Sequence, residues 1–327
     1  MFDGHDYMAW IVFTVLIIGV LALDLGLFHR KARPIPVGEA VSTTAAYIAL
    51  ALCFNAWIYF QASHELGPIK GQEKALQFLT AYFIEYALSM DNILVFVVIL
   101  SYFRVPPQFQ MRVLLWGIIG ALFLRAVFIF AGLALIDTFD WMVLVLGAFL
   151  IYTGFSTMRP SDEAAELSES RTIRLLRRVL PITDEYHGQK FFTRQPSGKA
   201  FATPLFVVLV VLNVTDVLFA LDSIPAAFAI TRDPFIVYTS NVFAILGLRA
   251  LYFALAGIIG KFRYLKFGLS LVLIFIGIKM IYNYLPWPDI PTVWALAVTA
   301  GLIFGSIFAS LIASRFEGAQ ERSGRRD

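Results

Sequence analysis

Eight ionisable side chains interrupt long apolar stretches of this sequence: Asp24, Glu85, Asp91, Arg125, Asp216, Asp222, Arg249 and Lys279. If those stretches cross a membrane, each charge near the bilayer centre costs about 2.5–3.5 kcal/mol on insertion scales. Such groups must be paired, hydrated or bound to something. Four of the acids form two matching pairs, Glu85 with Asp91 and Asp216 with Asp222, each with five residues between its members. Arg125 and Arg249 fall near the centres of their own apolar runs, at the depth of the acid pairs. Four carboxylates against two guanidiniums leave a formal charge of minus two, which a divalent cation would balance. Asn92, Ser89, Asn213, Thr215 and Ser223 set further oxygens beside the acids. With no His or Cys nearby, such a set suits magnesium, calcium or manganese rather than zinc or copper. The plainer alternative is a group of ion pairs that only holds a helical bundle together.

Spacing limits how these groups meet. Six positions turn a straight helix by about 600°, so the paired acids point about 120° apart and sit about 9 Å apart along the axis. One ion cannot bridge both on an unbroken helix. Pro225 offers a break, because it cannot donate to the carbonyl of Leu221 and clashes with it; that carbonyl becomes a candidate ligand. The first pair has no matching proline. Met90, beside Asp91, is either a soft ligand that tilts preference towards manganese or plain packing. Asp24 is read as a vestibule group or as a side chain reaching the interface, and Lys279 as a built-in cation that balances an acid.

Elements must hold these side chains, and composition says which kind. Hydrophobic residues make up 59% of the 327 positions and charged residues 15%, against about 25% charged in soluble domains. The mean hydropathy is +0.75. Apolar runs fall at about 8–28, 41–61, 76–102, 112–136, 141–158, 204–230, 236–260, 265–285 and 291–314. Each is near the roughly 20 residues a membrane helix needs, so an all-α membrane protein of about nine transmembrane helices is predicted. Loops 29–40, 103–111, 159–203, 261–264 and the tail, with their flanks, hold 20 Lys and Arg; the opposite loops hold Lys70, Lys74 and Arg232. The basic side is cytoplasmic, which puts the N-terminus outside and the C-terminus inside. The net charge of +3 follows from this topology, and no nucleic-acid partner is expected.

The chain also resembles itself. Residues 80–158 match 211–280 at three ordered anchors: the acid pairs, Leu124-Arg125-Ala126 with Leu248-Arg249-Ala250, and the run ending at Gly154 with the run ending at Gly277. Three spans per unit is an odd number, so a cytoplasmic connection makes the halves inverted-topology repeats, an architecture of secondary transporters. The predicted organisation is two N-terminal helices (1–75), a first three-helix repeat (76–158), a cytoplasmic loop (159–203), a second repeat (204–285), and a last helix with a basic tail (286–327).

Other features narrow the classes. The loop opens with Asp162, Glu163, Glu166 and Glu169, and 171–180 reads as either a membrane-surface helix or a solvated connector. Asp184, Glu185 and His187 are either a small regulatory metal site or an ordinary turn. The first run lacks a basic flank and is expected to stay as a span rather than be cleaved. The single Cys53 excludes an internal disulfide. The charged plane holds no Ser–His or Cys–His set, so no enzyme activity is expected.

At these residues the chain resembles the TerC family of integral membrane proteins, and within it the Alx-type branch. The likeness is carried by Tyr82-Phe83-Ile84-Glu85, Ser89-Met90-Asp91-Asn92, Thr215-Asp216, Phe219-Ala220-Leu221-Asp222-Ser223-Ile224-Pro225, Thr239-Ser240-Asn241, Leu246-Gly247-Leu248-Arg249-Ala250 and Gly277-Ile278-Lys279-Met280. The resemblance implies a bacterial inner-membrane exporter of Mn2+; with the inverted repeat and the oxygen ligands, alternating access with proton exchange is expected, and Ca2+ or Mg2+ are lesser candidates. It also implies that Glu85, Asp91, Asp216 and Asp222 are the transport carboxylates, that no prosthetic group is needed, and that tellurium resistance is an indirect phenotype. A membrane scaffold that delivers metal to other proteins, or assists their insertion, is the alternative. Many members carry a glutamate where this chain has Asn213.

Overall fold

The computed structural model describes residues 7–28, 36–158, 176, 178, 180–183, 185–194, 200–255 and 264–323; over 24–28 and 314–323 the helical backbone alone is described. Each of the nine apolar runs forms a helix. These are α1 (Tyr7–Phe28), α2 (Val37–Leu66), α3 (Pro68–Tyr102), α4 (Pro107–Thr138), α5 (Met142–Thr157), α6 (Pro204–Phe228), α7 (Pro234–Leu255), α8 (Leu265–Tyr284) and α9 (Thr292–Ser323). By length and composition α2, α3, α4, α6, α7, α8 and α9 are able to cross a membrane. The apolar parts of α1 and α5 are shorter, Tyr7–Leu23 and Met142–Thr157. The 16 residues of α5 rise about 24 Å, short of a hydrocarbon layer of about 30 Å. The chain is an all-α, multi-pass membrane protein.

Helix starts follow local chemistry more than hydropathy. Proline occupies the first helical position of α3, α4 and α6, where its fixed φ suits a helix and its missing N–H costs nothing. Thus α3 begins at Pro68, two turns before the apolar run, and takes Lys70 and Lys74 into the helix. Gly67, at φ 92°, makes the turn from α2. Asp233 caps α7: its Oδ1 accepts from the amides of Phe235 and Ile236 at 3.1 and 3.4 Å. Its Oδ2 accepts from Lys74 of α3 at 2.7 Å.

Helix α7 lies at the centre, buried over almost its whole apolar length and packed by α2, α3 and α4. Around it Phe13, Phe54, Phe78, Phe235 and Phe243 form an aromatic core, with the Phe54 and Phe243 rings 4.8 Å apart. A second core gathers Ile84, Ile129, Ile224, Leu273 and their neighbours between α3, α4, α6 and α8. Phe60, Phe123 and Phe304 present most of their surface outwards, as a lipid-facing belt requires. Between α5 and α6 a two-stranded hairpin, β1 (Phe192–Arg194) and β2 (Ala200–Ala202), pairs antiparallel with Phe192 opposite Ala202. The segment before it reaches the α3–α4 turn, where the Tyr186 hydroxyl donates to the carbonyl of Phe103 at 2.8 Å.

The most extensive helix pair is α5 with α8. They run antiparallel and touch at glycines. A Cβ on Gly277 would lie 2.6 Å from the carbonyl oxygen of Gly147, and one on Gly154 would lie 2.8 Å from that of Ser270. Backbone cannot yield as a flexible side chain can, so small residues are required here. Gly277→Val is therefore expected to lower the thermal midpoint of the detergent-purified protein by several degrees, about 1–3 kcal/mol of overpacking. Gly301→Val, where no atom lies within 4 Å of the added Cβ, should leave it unchanged.

Candidate functional site

The charged plane is organised by one residue. Arg125 stands midway along α4, 1% exposed, and its guanidinium reaches three other helices. Its Nε and Nη2 donate to Oδ2 and Oδ1 of Asp216 on α6 at 3.3 and 3.1 Å. Its Nη1 donates to Glu85 Oε1 on α3, to Ser223 Oγ on α6 at 3.2 Å and to Asn241 Oδ1 on α7 at 2.7 Å. Five oxygens thus surround one cationic head. Glu85, Asp216, Ser223 and Asn241 are all at most 2% exposed.

Helical spacing explains which candidates join this cluster. Glu85, Ser89 and Asn92 follow at four and three residues and share the buried stripe of α3. Asp91 falls off that stripe and is half-buried. On α6, Asn213, Asp216 and Ser223 share the inner face, whereas Asp222 is half-buried beside the Thr153 hydroxyl of α5. The acids of each pair therefore divide into an inner one held by Arg125 and an outer one on another face. Arg249 is buried within α7. Among the described residues no three of His, Cys, Asp and Glu converge as ligands of one ion.

The inner stripe is rich in polar atoms without protein partners. Glu85 Oε2, Ser89 Oγ, Asn92 Oδ1, Asn213 Oδ1 and Asn241 Nδ2 are buried and accept or donate no hydrogen bond within the chain. Each such group costs about 1–3 kcal/mol relative to a satisfied one. Asn213 lies against Gly120 of α4, so closely that a Cβ on Gly120 would collide with its Oδ1; its Nδ2 donates to the Leu209 carbonyl at 2.9 Å. A narrow cavity lined by Gly117, Ala121, Leu212 and Asp216 opens beside the cluster.

Several expectations need correction. Helix α6 runs through Pro225 without a break, because membrane helices absorb a proline when their neighbours hold them. Leu221, whose carbonyl is the candidate ligand, lies on the exposed surface of α6, away from the inner face that carries Asp216 and Ser223. Lys279 is buried, but its ammonium donates to the Ala229 carbonyl at 2.9 Å. It closes the C-terminal end of α6, where helix carbonyls lack partners, and the acid whose charge it faces is Asp289, beyond the end of α8, rather than one of the midplane four. Met90 is a partly buried packing residue on both cores. The side chain of Asp24 lies outside the described ones, as do Asp162, Glu163, Glu166, Glu169, residues 171–175 and Asp184. Glu185 and His187 are exposed. Asn241 is the functional candidate that charge counting misses; its signal was three consecutive polar residues, Thr239-Ser240-Asn241, inside an apolar run.

Comparison with known proteins places this geometry in a family. The family model described as "Integral membrane protein TerC family" matches residues 70–321, a span that holds every member of the Arg125 cluster. The chain belongs to the TerC family. A membrane protein of Myxococcus xanthus is 49% identical over 307 residues, covering 94% of this chain and 92% of its own. Alx of Escherichia coli strain K12 and its counterpart in Salmonella typhi, whose names describe membrane-bound redox modulators, are 41% identical over 306 residues, covering 93% of each chain. No solved structure matches.

In this TerC-family chain Arg125 cannot be replaced conservatively. Removing it leaves two buried carboxylates facing each other without a cation, a loss of about 3–5 kcal/mol. Arg125→Leu should sharply reduce the metal-free thermal midpoint. Arg125→Lys should recover only part of it, since a point charge cannot hold five oxygens on three helices. Thermal denaturation of the purified variants, without added metal, reads both effects.

Proposed function

We propose that this protein is a secondary transporter that exports divalent metal cations, Mn2+ foremost, across the bacterial inner membrane. Transport proceeds by alternating access through the midplane carboxylates, with protons moving in exchange. The observation that carries this reading is the buried stripe of oxygens on α3 and α6. Glu85, Ser89, Asn92, Asn213, Asp216 and Ser223 supply carboxylate, hydroxyl and amide oxygens, several of them without partners. A membrane interior has no structural use for unsatisfied oxygen atoms, whereas a hard divalent cation needs them. Asp91 and Asp222, half-buried on other faces, are read as relay acids that receive the ion or a proton from the inner pair. Manganese as the preferred ion, and export as the direction, come from the family resemblance.

The inverted-repeat reading has support in the packing. Gly154 and Gly277 are equivalent in the repeat, 123 positions apart. The same offset relates Gly147 to Ser270. The two close approaches of α5 and α8, Gly147 on Gly277 and Gly154 on Ser270, are thereby exchanged by the repeat. The pairs α3–α7 and α4–α6 are exchanged likewise. Nine crossings, with the N-terminus periplasmic and the hairpin and C-terminus cytoplasmic, follow from the Lys and Arg count together with this architecture.

The names of the relatives point to redox modulation. This chain's single Cys53, exposed on α2, cannot cycle between dithiol and disulfide within one molecule. Control of cellular metal gives the more direct link to a redox phenotype.

The test is Mn2+ flux into liposomes carrying the purified protein, with and without a pH gradient. Flux that depends on the gradient is expected, and Asp222→Asn should abolish it while leaving protein abundance unchanged. Absence of flux under both conditions overturns the transporter. A scaffold makes the opposite demand, on the 159–203 connection. Leu176, Ile182 and Tyr186 pack against the core, so the informative deletion is 162–172. A transporter should keep its flux without that segment; a scaffold should lose its cellular function.

A further inference from the structure

The five oxygens that hold Arg125 form the ligand set of a hard cation. Glu85 Oε1, both Asp216 oxygens, Ser223 Oγ and Asn241 Oδ1 converge on the guanidinium from α3, α6 and α7. Divalent cations of the oxygen-loving class take six to eight such ligands, and Glu85 Oε2 stands buried and without a partner beside them. Charge favours one occupant at a time. Glu85 and Asp216 with Arg125 sum to minus one. With a divalent ion in place of the guanidinium they sum to zero, and with both cations the site would carry plus one in a medium that tolerates charge poorly.

We infer that Arg125 is a tethered competitor of the transported ion, which binds to Glu85, Asp216, Ser223 and Asn241 only as the guanidinium withdraws. The inference rests on the transporter reading and adds to it the ligand set and the exchange. Withdrawal would carry the Arg125 guanidinium along α4 towards its N-terminus. Helix side chains lean towards the N-terminus, and the small residues Gly117, Gly120 and Ala121 occupy the preceding turns of α4. The cavity beside Asp216 opens against Gly117 and Ala121 but is only about 10 Å³ and mostly apolar, so withdrawal requires α4 to shift and widen it. The oxygen of Asn213, which accepts no hydrogen bond in the present arrangement, lies against Gly120 and would accept from a withdrawn guanidinium. The exchange keeps the two acids facing a cation in both states, the guanidinium when no metal is present and the ion when metal arrives. It thus couples binding to a rearrangement of α4 relative to α3, α6 and α7.

Competition makes a prediction that a purely structural ion pair does not. The apparent affinity for the ion is reduced by the fraction of molecules whose site is vacated. Arg125→Ala should therefore bind Mn2+ about tenfold more tightly than the unaltered protein if the guanidinium holds the site in about nine molecules of ten. Loss of free Mn2+ signal in electron paramagnetic resonance titrations of the purified protein measures this. Mn2+ should also raise the thermal midpoint of Arg125→Ala more than that of the unaltered protein, and Mn2+ flux through it should fall. Arg125→Lys, a weaker competitor that keeps the charge, should give an intermediate tightening if the alanine variant does not fold. Asn241→Ala should weaken Mn2+ binding, since it removes a shared ligand. Flux through the unaltered protein with no tightening in either Arg125 variant overturns the exchange and leaves the transporter standing. Tightening in the variants without flux in the unaltered protein keeps the exchange and overturns transport. No Mn2+ binding in any form overturns both.

Discussion

Burying one guanidinium at the middle of a bundle constrains everything around it. An Arg in hydrocarbon must find acceptors for its N–H groups or bring water with it, and Arg125 finds five oxygens on three helices. Each of those oxygens is in turn tolerable only because the guanidinium is there. Without it, Glu85 and Asp216 would be two buried acids side by side. The cluster therefore specifies the relative height and rotation of α3, α4, α6 and α7 together, which apolar packing alone does not do. Apolar contacts between membrane helices are nearly as good in lipid as in protein, so directional polar contacts and close backbone approaches carry the specificity.

The remaining architecture can be understood as support for that plane. On one side α7 is enclosed by α2, α3 and α4 and by the aromatic core of Phe13, Phe54, Phe78, Phe235 and Phe243, which fixes Asn241. On the other side α5 and α8 meet through glycines and hold α6 from outside the cluster. The ends are tied as well. Lys74 bonds Asp233 where α7 begins, and Lys279 closes the last turn of α6 at Ala229. These ties give polar groups at the helix ends their partners.

Much of this was legible in the sequence because the bilayer imposes a simple code. Apolar runs gave nine helices, and the spacing of six between paired acids gave two directions on one helix. That arithmetic already separated Glu85 from Asp91 and Asp216 from Asp222, and the division into inner and outer acids follows it. What a linear reading did not supply was which acid faced inwards, since that depends on the neighbours of α3 and α6. Lys279 reads as a counter-ion because it lies inside an apolar run; its long stem carries the ammonium to the end of α6. Pro225 looked like a break because the rule for an isolated helix was applied to one held by α4 and α5. Asn241 escapes notice because, unlike Asn92 and Asn213, it has no acid beside it in sequence, although it is fully buried against Arg125.

A bundle selected only for stability would pair its polar atoms or replace them. Each orphaned oxygen on the inner stripe weighs about 1–3 kcal/mol against the fold, and native stabilities are about 5–15 kcal/mol in total. Glu85 Oε2, Ser89, Asn92 and Asn213 together represent a large fraction of such a margin. Apolar substitutes at Ser89, Asn92 and Asn213 would remove most of that penalty, since their side chains are not what holds Arg125. Their retention beside a guanidinium that already satisfies the inner carboxylates makes sense if the arrangement described is one of two, and the other gives those oxygens a partner. The same atoms are then a cost in one state and partnered in the next, and on the proposed transport reading that difference in free energy would move a helix when an ion arrives.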